Sequence, residues 1–272
     1  MRRVVLFLPG SSSALARRSR LAPAVGPRVG PVNYRRGMGA TELLLVRHGE
    51  SISNVAADAA EAAGAHVIDV PVRDPDVPLT TRGVGQAEAV GAWLSTLGPD
   101  AAPHSVWSSP YLRALQTAQL AVAGSGLDLE PRTDERLRDR DLGILDLLTT
   151  AGVEARAPAE AARRRWLGKF YHRPPGGESW ADLALRVRAV LADLDRDEHD
   201  RRVLVVCHDA VIMVVRYLCE GLSEADVLAI SETAAVRNAS VTRLVRPDGA
   251  GRWSVDVFNL ESHLRDLPRE DS

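Results

Sequence analysis

The sequence predicts an α/β three-layer sandwich: a mostly parallel central sheet covered by helices on both faces, with a helical cap or insertion. Three observations carry this. Short aliphatic runs alternate with longer segments of helical period, the pattern of parallel strands joined by crossover helices. Two of those runs, Leu43-Leu44-Leu45-Val46 and Val203-Leu204-Val205-Val206, are apolar at every position, as a strand buried on both faces requires. Near the C-terminus, Pro247-Asp248-Gly249-Ala250-Gly251 separates two further strand-like runs with the turn chemistry of a hairpin.

Taken in order, residues 42–46 form the first strand. After Asn54 an alanine-rich stretch starts as a helix and runs on to Asp76, an insertion expected to border the pocket. Thr80 is the N-cap of a helix over 81–97. A strand at 105–108 feeds a helix over 110–123 opened by Ser109 and Pro110. A strand follows at 128–131, and 141–173 forms the rest of the cap. Ser179 caps a helix over 179–195, a strand covers 202–207, and a helix covers 210–219. Strands at 239–246 and 252–258 close the chain.

The chain has 272 residues and 45% hydrophobic content, enough for one large core, and no segment is long or apolar enough to span a membrane. Cys207 and Cys219 sit inside apolar patterns, which argues against a disulfide framework or a zinc site and for reduced core residues. Lys169 is the only lysine; the arginine bias comes without interleaved aromatics, so a nucleic-acid surface is not expected. Residues 1–37 carry eight arginines and no acid, so the formal charge of −2 becomes −10 without them. We read 1–37 as a disordered basic tail or an early translation start, and 38–272 as a single catalytic domain of a cytoplasmic protein. The oligomeric state is left open, a homodimer included.

Chemistry concentrates where strands end. The first strand stops at Arg47-His48-Gly49-Glu50-Ser51, and open α/β sheets collect ligands at the C-terminal ends of their strands. A guanidinium offers a fork of donors to phosphate oxygens, and a neutral imidazole can attack phosphorus. Asp76-Val77-Pro78-Leu79-Thr80-Thr81-Arg82-Gly83-Val84-Gly85-Gln86-Ala87 and Ser108-Ser109-Pro110-Tyr111-Leu112-Arg113 follow, the latter placing Arg113 in the first turn of a helix, where anions are favoured. Val203 to His208 repeats the strand-then-histidine arrangement.

These segments, in this order, resemble the histidine phosphatase superfamily, also called phosphoglycerate-mutase-like. The resemblance implies a phosphohistidine at His48, with Arg47, Arg113 and His208 holding the phosphoryl oxygens and neither metal nor cofactor required. It also implies a carboxylic acid that protonates the leaving oxygen. In Asp134-Glu135-Arg136-Leu137-Arg138-Asp139-Arg140-Asp141-Leu142-Gly143 the aligned acid is Asp139, one methylene shorter than the family's glutamate, with Glu135 as the fallback. Many relatives have glycine after the second histidine, where this chain has Asp209.

Ser51 and Asn54 match the continuation of the signature, and Asn54 is similar to the family asparagine that donates to phosphate. Phe170-Tyr171-His172-Arg173-Pro174-Pro175-Gly176-Gly177-Glu178-Ser179 resembles a segment of several phosphatases, including the bisphosphatase half of the fructose-2,6-bisphosphate enzyme. It offers Tyr171, Arg173 and Glu178 as substrate contacts, or equally a turn and cap for the next helix. The expected partner is a small-molecule phosphate ester. The implied activity is phosphomonoester hydrolysis; a phosphoglycerate mutase and a non-catalytic phosphate-binding protein are the alternatives.

Overall fold

The computed structural model describes residues 39–265 and 267, so the expectation for residues 1–37 lies outside the described residues. In chain order the elements are β1 (Glu42–Arg47), α1 (Ile52–Ala62), α2 (Thr81–Ser95), β2 (Ser105–Ser108), α3 (Leu112–Ser125) and β3 (Pro131–Thr133). They continue with α4 (Thr150–Arg156), α5 (Pro158–Leu167), α6 (Trp180–Asp197), β4 (Arg202–Cys207), α7 (Asp209–Arg216), α8 (Glu224–Thr233), β5 (Val241–Val245) and β6 (Ser254–Leu260).

The six strands form one sheet in the order β3-β2-β4-β1-β5-β6, parallel from β3 to β1 and antiparallel beyond. The expected hairpin is β5-β6. Strand alternation divides the core in two. Leu43, Leu45, Val203 and Val205 pack with Leu183 and Val187 of α6 and Ile212 of α7, whereas Leu44, Val46, Leu204 and Val206 pack with Val90 of α2 and Ala114 of α3. Each face of β1 thus buries leucine completely, and truncating one to alanine would cost about 2–5 kcal/mol.

Two elements depart from expectation by three residues at one end, and the other strand and helix ends shift by two at most. β3 begins only at Pro131, because pairing starts opposite Val106 of the four-residue β2, and proline is tolerated at the first position of a strand. The helix expected over 210–219 keeps α geometry only to Arg216; a wider π turn, Tyr217–Gly221, then ends at Gly221 with φ 68°.

Candidate active site

β1 and β4 are parallel neighbours with Arg47 opposite Cys207, so the next residue of each, His48 and His208, leaves the sheet at the same edge. Their ring centroids lie 5.2 Å apart. The His48 N–H continues the ladder by donating to the Cys207 carbonyl at 3.0 Å. Gly49 then passes against Gly83 at the start of α2: a Cβ on Gly49 would stand 2.5 Å from the Gly83 carbonyl oxygen. Only glycine fits.

The His48 ring is buried, and Nδ1 lies 2.7 Å from the Gly49 carbonyl oxygen. A carbonyl only accepts, so the proton sits on Nδ1 and Nε2 keeps its lone pair. Burial, reinforced by His208, Arg47 and Arg113, pushes the imidazole pKa well below its ordinary value. His48 is therefore neutral at physiological pH, with a nucleophilic nitrogen free.

Around it stands a set of charges. Arg113, the second residue of α3, is almost fully buried; it donates to the Asp74 carbonyl at 2.7 Å, lies 2.9 Å from Asp74 Oδ1 and 3.2 Å from Asp139 Oδ2. His208 is fully buried, with Nε2 2.8 Å from Ser109 Oγ. Its Nδ1 is 3.3 Å from Asp139 Oδ2, an ion-pair distance that misses hydrogen-bond direction. Burial lowers the His208 pKa against the opposing pull of Asp139. Burial raises that of Asp139, but His208, Arg113 and the Arg140 N–H together hold the carboxyl well below the usual range. In the substrate-free site Asp139 is ionised.

Arg47 donates to the Val236 carbonyl at 2.5 Å, and its buried Nε has no partner among the described residues. Asp209 opens α7 beside it; burial raises its pKa, with Arg47 and the Val236 N–H pulling the other way. Ser51 and Asn54 form the capping box of α1. The Asn54 side-chain oxygen also accepts from Asn238, which donates at 3.0 Å to the His48 carbonyl, so the Asn54 amide NH2 is what remains to donate. Asn238 had no motif to reveal it.

Arg47 and Asp139 face a cavity of about 600 Å³, lined on the sheet side by Arg140 and Asp209 as well, whereas His48, His208 and Arg113 are not among its lining residues. Arg73, Asp74 and Pro75 from the insertion and Asp141, Leu142, Gly143 and Asp146 from the cap complete its wall, so both segments border it as expected. None of the five expected substrate residues lines this cavity: Ser51 and Asn54 sit in the α1 capping box, and the other three are engaged elsewhere. The Tyr171 hydroxyl bonds Glu224 at the surface, and Arg173 is tied to Asp182 in the first turn of α6. Glu178 turns away from the cavity to hold Arg138, Arg186 and the Asp141 N–H. The fallback acid Glu135 is exposed and does not line it.

Residues 43–260 match the family model described as histidine phosphatase superfamily (branch 1). The chain is 30% identical to the glucosyl-3-phosphoglycerate phosphatase of Mycobacterium tuberculosis over 241 residues, covering 84% of this chain and 98% of that protein. It is 36% identical over 190 residues to the 2,3-bisphosphoglycerate-dependent phosphoglycerate mutase of Methylobacterium radiotolerans, covering 68% of this chain and 82% of that one. A solved native structure of a mycobacterial glucosyl-3-phosphoglycerate phosphatase superimposes with TM-score 0.63 at 31% identity, covering 80% of this chain and 98% of the other.

Proposed function

This chain belongs to the histidine phosphatase superfamily, and on that premise we propose that it is a metal-independent phosphomonoester hydrolase acting on a small organic phosphate through a phosphohistidine at His48. The observation that carries the reading is the state of His48: neutral, protonated on Nδ1, with Nε2 free beside His208, Arg47 and Arg113. Nε2 attacks phosphorus and the bond from phosphorus to the ester oxygen breaks. Asp139 gives the leaving oxygen its proton. Water then cleaves the phosphohistidine with Asp139 taking a proton back, which releases inorganic phosphate and restores the imidazole. Arg47, Arg113 and His208 hold the equatorial oxygens throughout, the electrostatic stabilisation that phosphoryl transfer mainly needs.

The ionised state of Asp139 fits this scheme if the proton arrives with the substrate. A phosphomonoester has a second pKa near ~6, so its monoanion carries one proton. As the phosphoryl group engages His208 and Arg113 it draws off the two groups that depress the Asp139 carboxyl and sets negative charge next to it, which moves the proton onto Asp139. A cytoplasmic location completes the proposal.

The mutase named among the relatives keeps phosphoryl return to a sugar acid as the second reading. A screen of small phosphate esters that includes 3-phosphoglycerate decides. Inorganic phosphate release supports hydrolysis, isomerisation without release supports the mutase, and absence of both with phosphate binding retained refutes catalysis.

A further inference from the structure

Arg186 of α6 has no place in the scheme above, yet all five of its N–H donors are used. Nε donates to Glu178 Oε1 at 2.8 Å, and one NH2 group donates to the carbonyls of Arg136 at 2.6 Å and Arg138 at 2.8 Å. The other donates to the Asp139 carbonyl and to Glu178 Oε2, both at 2.8 Å. Arg186 is only 10% exposed and Glu178 14%, so this is an ion pair largely withdrawn from water. Glu178 grips the same loop from its far end: its N–H donates to the Asp141 carbonyl at 2.8 Å and its Oε2 accepts from the Asp141 N–H at 3.3 Å. Arg138 joins its carboxylate at 2.8 Å. Below, Gly177 lies against the loop so closely that a Cβ would stand 2.6 Å from the Asp141 carbonyl oxygen.

The backbone on both sides of Asp139 is therefore fixed to one guanidinium and one carboxylate, while the Asp139 side chain points the other way, to His208 and Arg113. The carbonyls of residues 136, 138 and 139 converging on a planar fork give a geometry that lysine, with three donors on a flexible stem, does not reproduce. We propose that Arg186 and Glu178 are positioning residues that set where the Asp139 carboxyl stands relative to the leaving oxygen. This rests on Asp139 being the proton donor. A misplacement of about 1 Å in a catalytic group is worth about 10²-fold in rate.

The test compares an alkyl phosphate, whose alkoxide leaves only when protonated, with p-nitrophenyl phosphate, whose phenoxide does not need the proton. In Arg186→Lys, kcat for the alkyl ester should fall about 10- to 100-fold while the aryl rate and both KM values stay near wild type. Glu178→Gln should shift the alkyl-to-aryl ratio in the same direction, and it carries the comparison if Arg186→Lys is not folded by circular dichroism. Placed in an Asp139→Asn background, Arg186→Lys should cause no further selective loss. Equal losses on both esters, or none, with Asp139→Asn itself selective against the alkyl ester, would overturn the positioning role. An unselective Asp139→Asn would instead remove Asp139 as donor, and with it the premise.

Discussion

Acidification should destabilise this protein by an amount to which His48 makes a separable contribution. The His48 ring is buried and its folded-state pKa is depressed well below 6.5, first by burial and then by His208, Arg47 and Arg113. The unfolded chain takes up a proton near 6.5 that the native site refuses, so the unfolded state binds more protons and stability falls as pH falls, continuing until the folded-state pKa is reached. Each pH unit in that window costs about 1.4 kcal/mol, and integrating from about pH 7.5 to about pH 5.5 gives ~1.4 kcal/mol for this residue. His48→Asn keeps a donor for the Gly49 carbonyl but has nothing to titrate. Urea unfolding of both proteins at both pH values should show a wild-type loss larger by ~1.4 kcal/mol, or about 3–6 °C in melting temperature. His208 is lowered as well, so the wild-type slope exceeds this share and His48→Asn flattens it without abolishing it. Identical pH dependence in the two proteins would mean that His48 takes up its proton as readily in the folded state as in the unfolded one, which would refute burial as the cause of its neutrality.

Turnover should survive saturating chelator, because arginines and histidines supply the charge that binds the phosphoryl group; inactivation with rescue by a divalent cation would contradict this. Vanadate should compete with substrate, and competition lost in Arg113→Ala but not in Arg173→Ala would locate the oxyanion site where the geometry indicates. Gly49→Ala should abolish activity and lower the melting temperature, since its Cβ has no room against the Gly83 backbone; wild-type behaviour would mean that α2 can retreat. Glu135→Gln should leave turnover of alkyl and aryl esters unchanged, and a selective alkyl loss would return the donor role to Glu135.

What the sequence disclosed, and what it concealed, follows from the range of the interactions. The boundaries of β2 and β4 were legible because short runs of buried side chains end at polar residues, and the two histidines because each terminates such a run. Arg113 was legible from the strand-to-helix segment around it. Arg186 was not: by pattern it is one more arginine on an amphipathic helix, and its partners are backbone carbonyls some 50 residues earlier that have no side-chain signature. Asn238 was hidden for the same reason, 190 residues from the carbonyl it supports. Tyr171 and Arg173 misled because a motif specifies residue types and spacing but not which way a loop turns; Asp182, three residues into α6's N-terminal region, captures Arg173 instead. Asp209 showed its identity in the sequence but not its facing, toward Arg47 and the Val236 N–H.

The distance between the two imidazoles is a property of the sheet and not of the side chains. His48 and His208 follow strands that are hydrogen-bonded neighbours but 160 residues apart along the chain, and neighbouring strands lie about 4.8 Å apart. Closing a loop of that length is a slow, late kind of event in folding, and until it has happened no partial structure can bring the two rings together. Recovery of activity during refolding is thus a clock for the pairing of β1 with β4, and a chain that regains its helices first should remain catalytically dead until those strands meet in register.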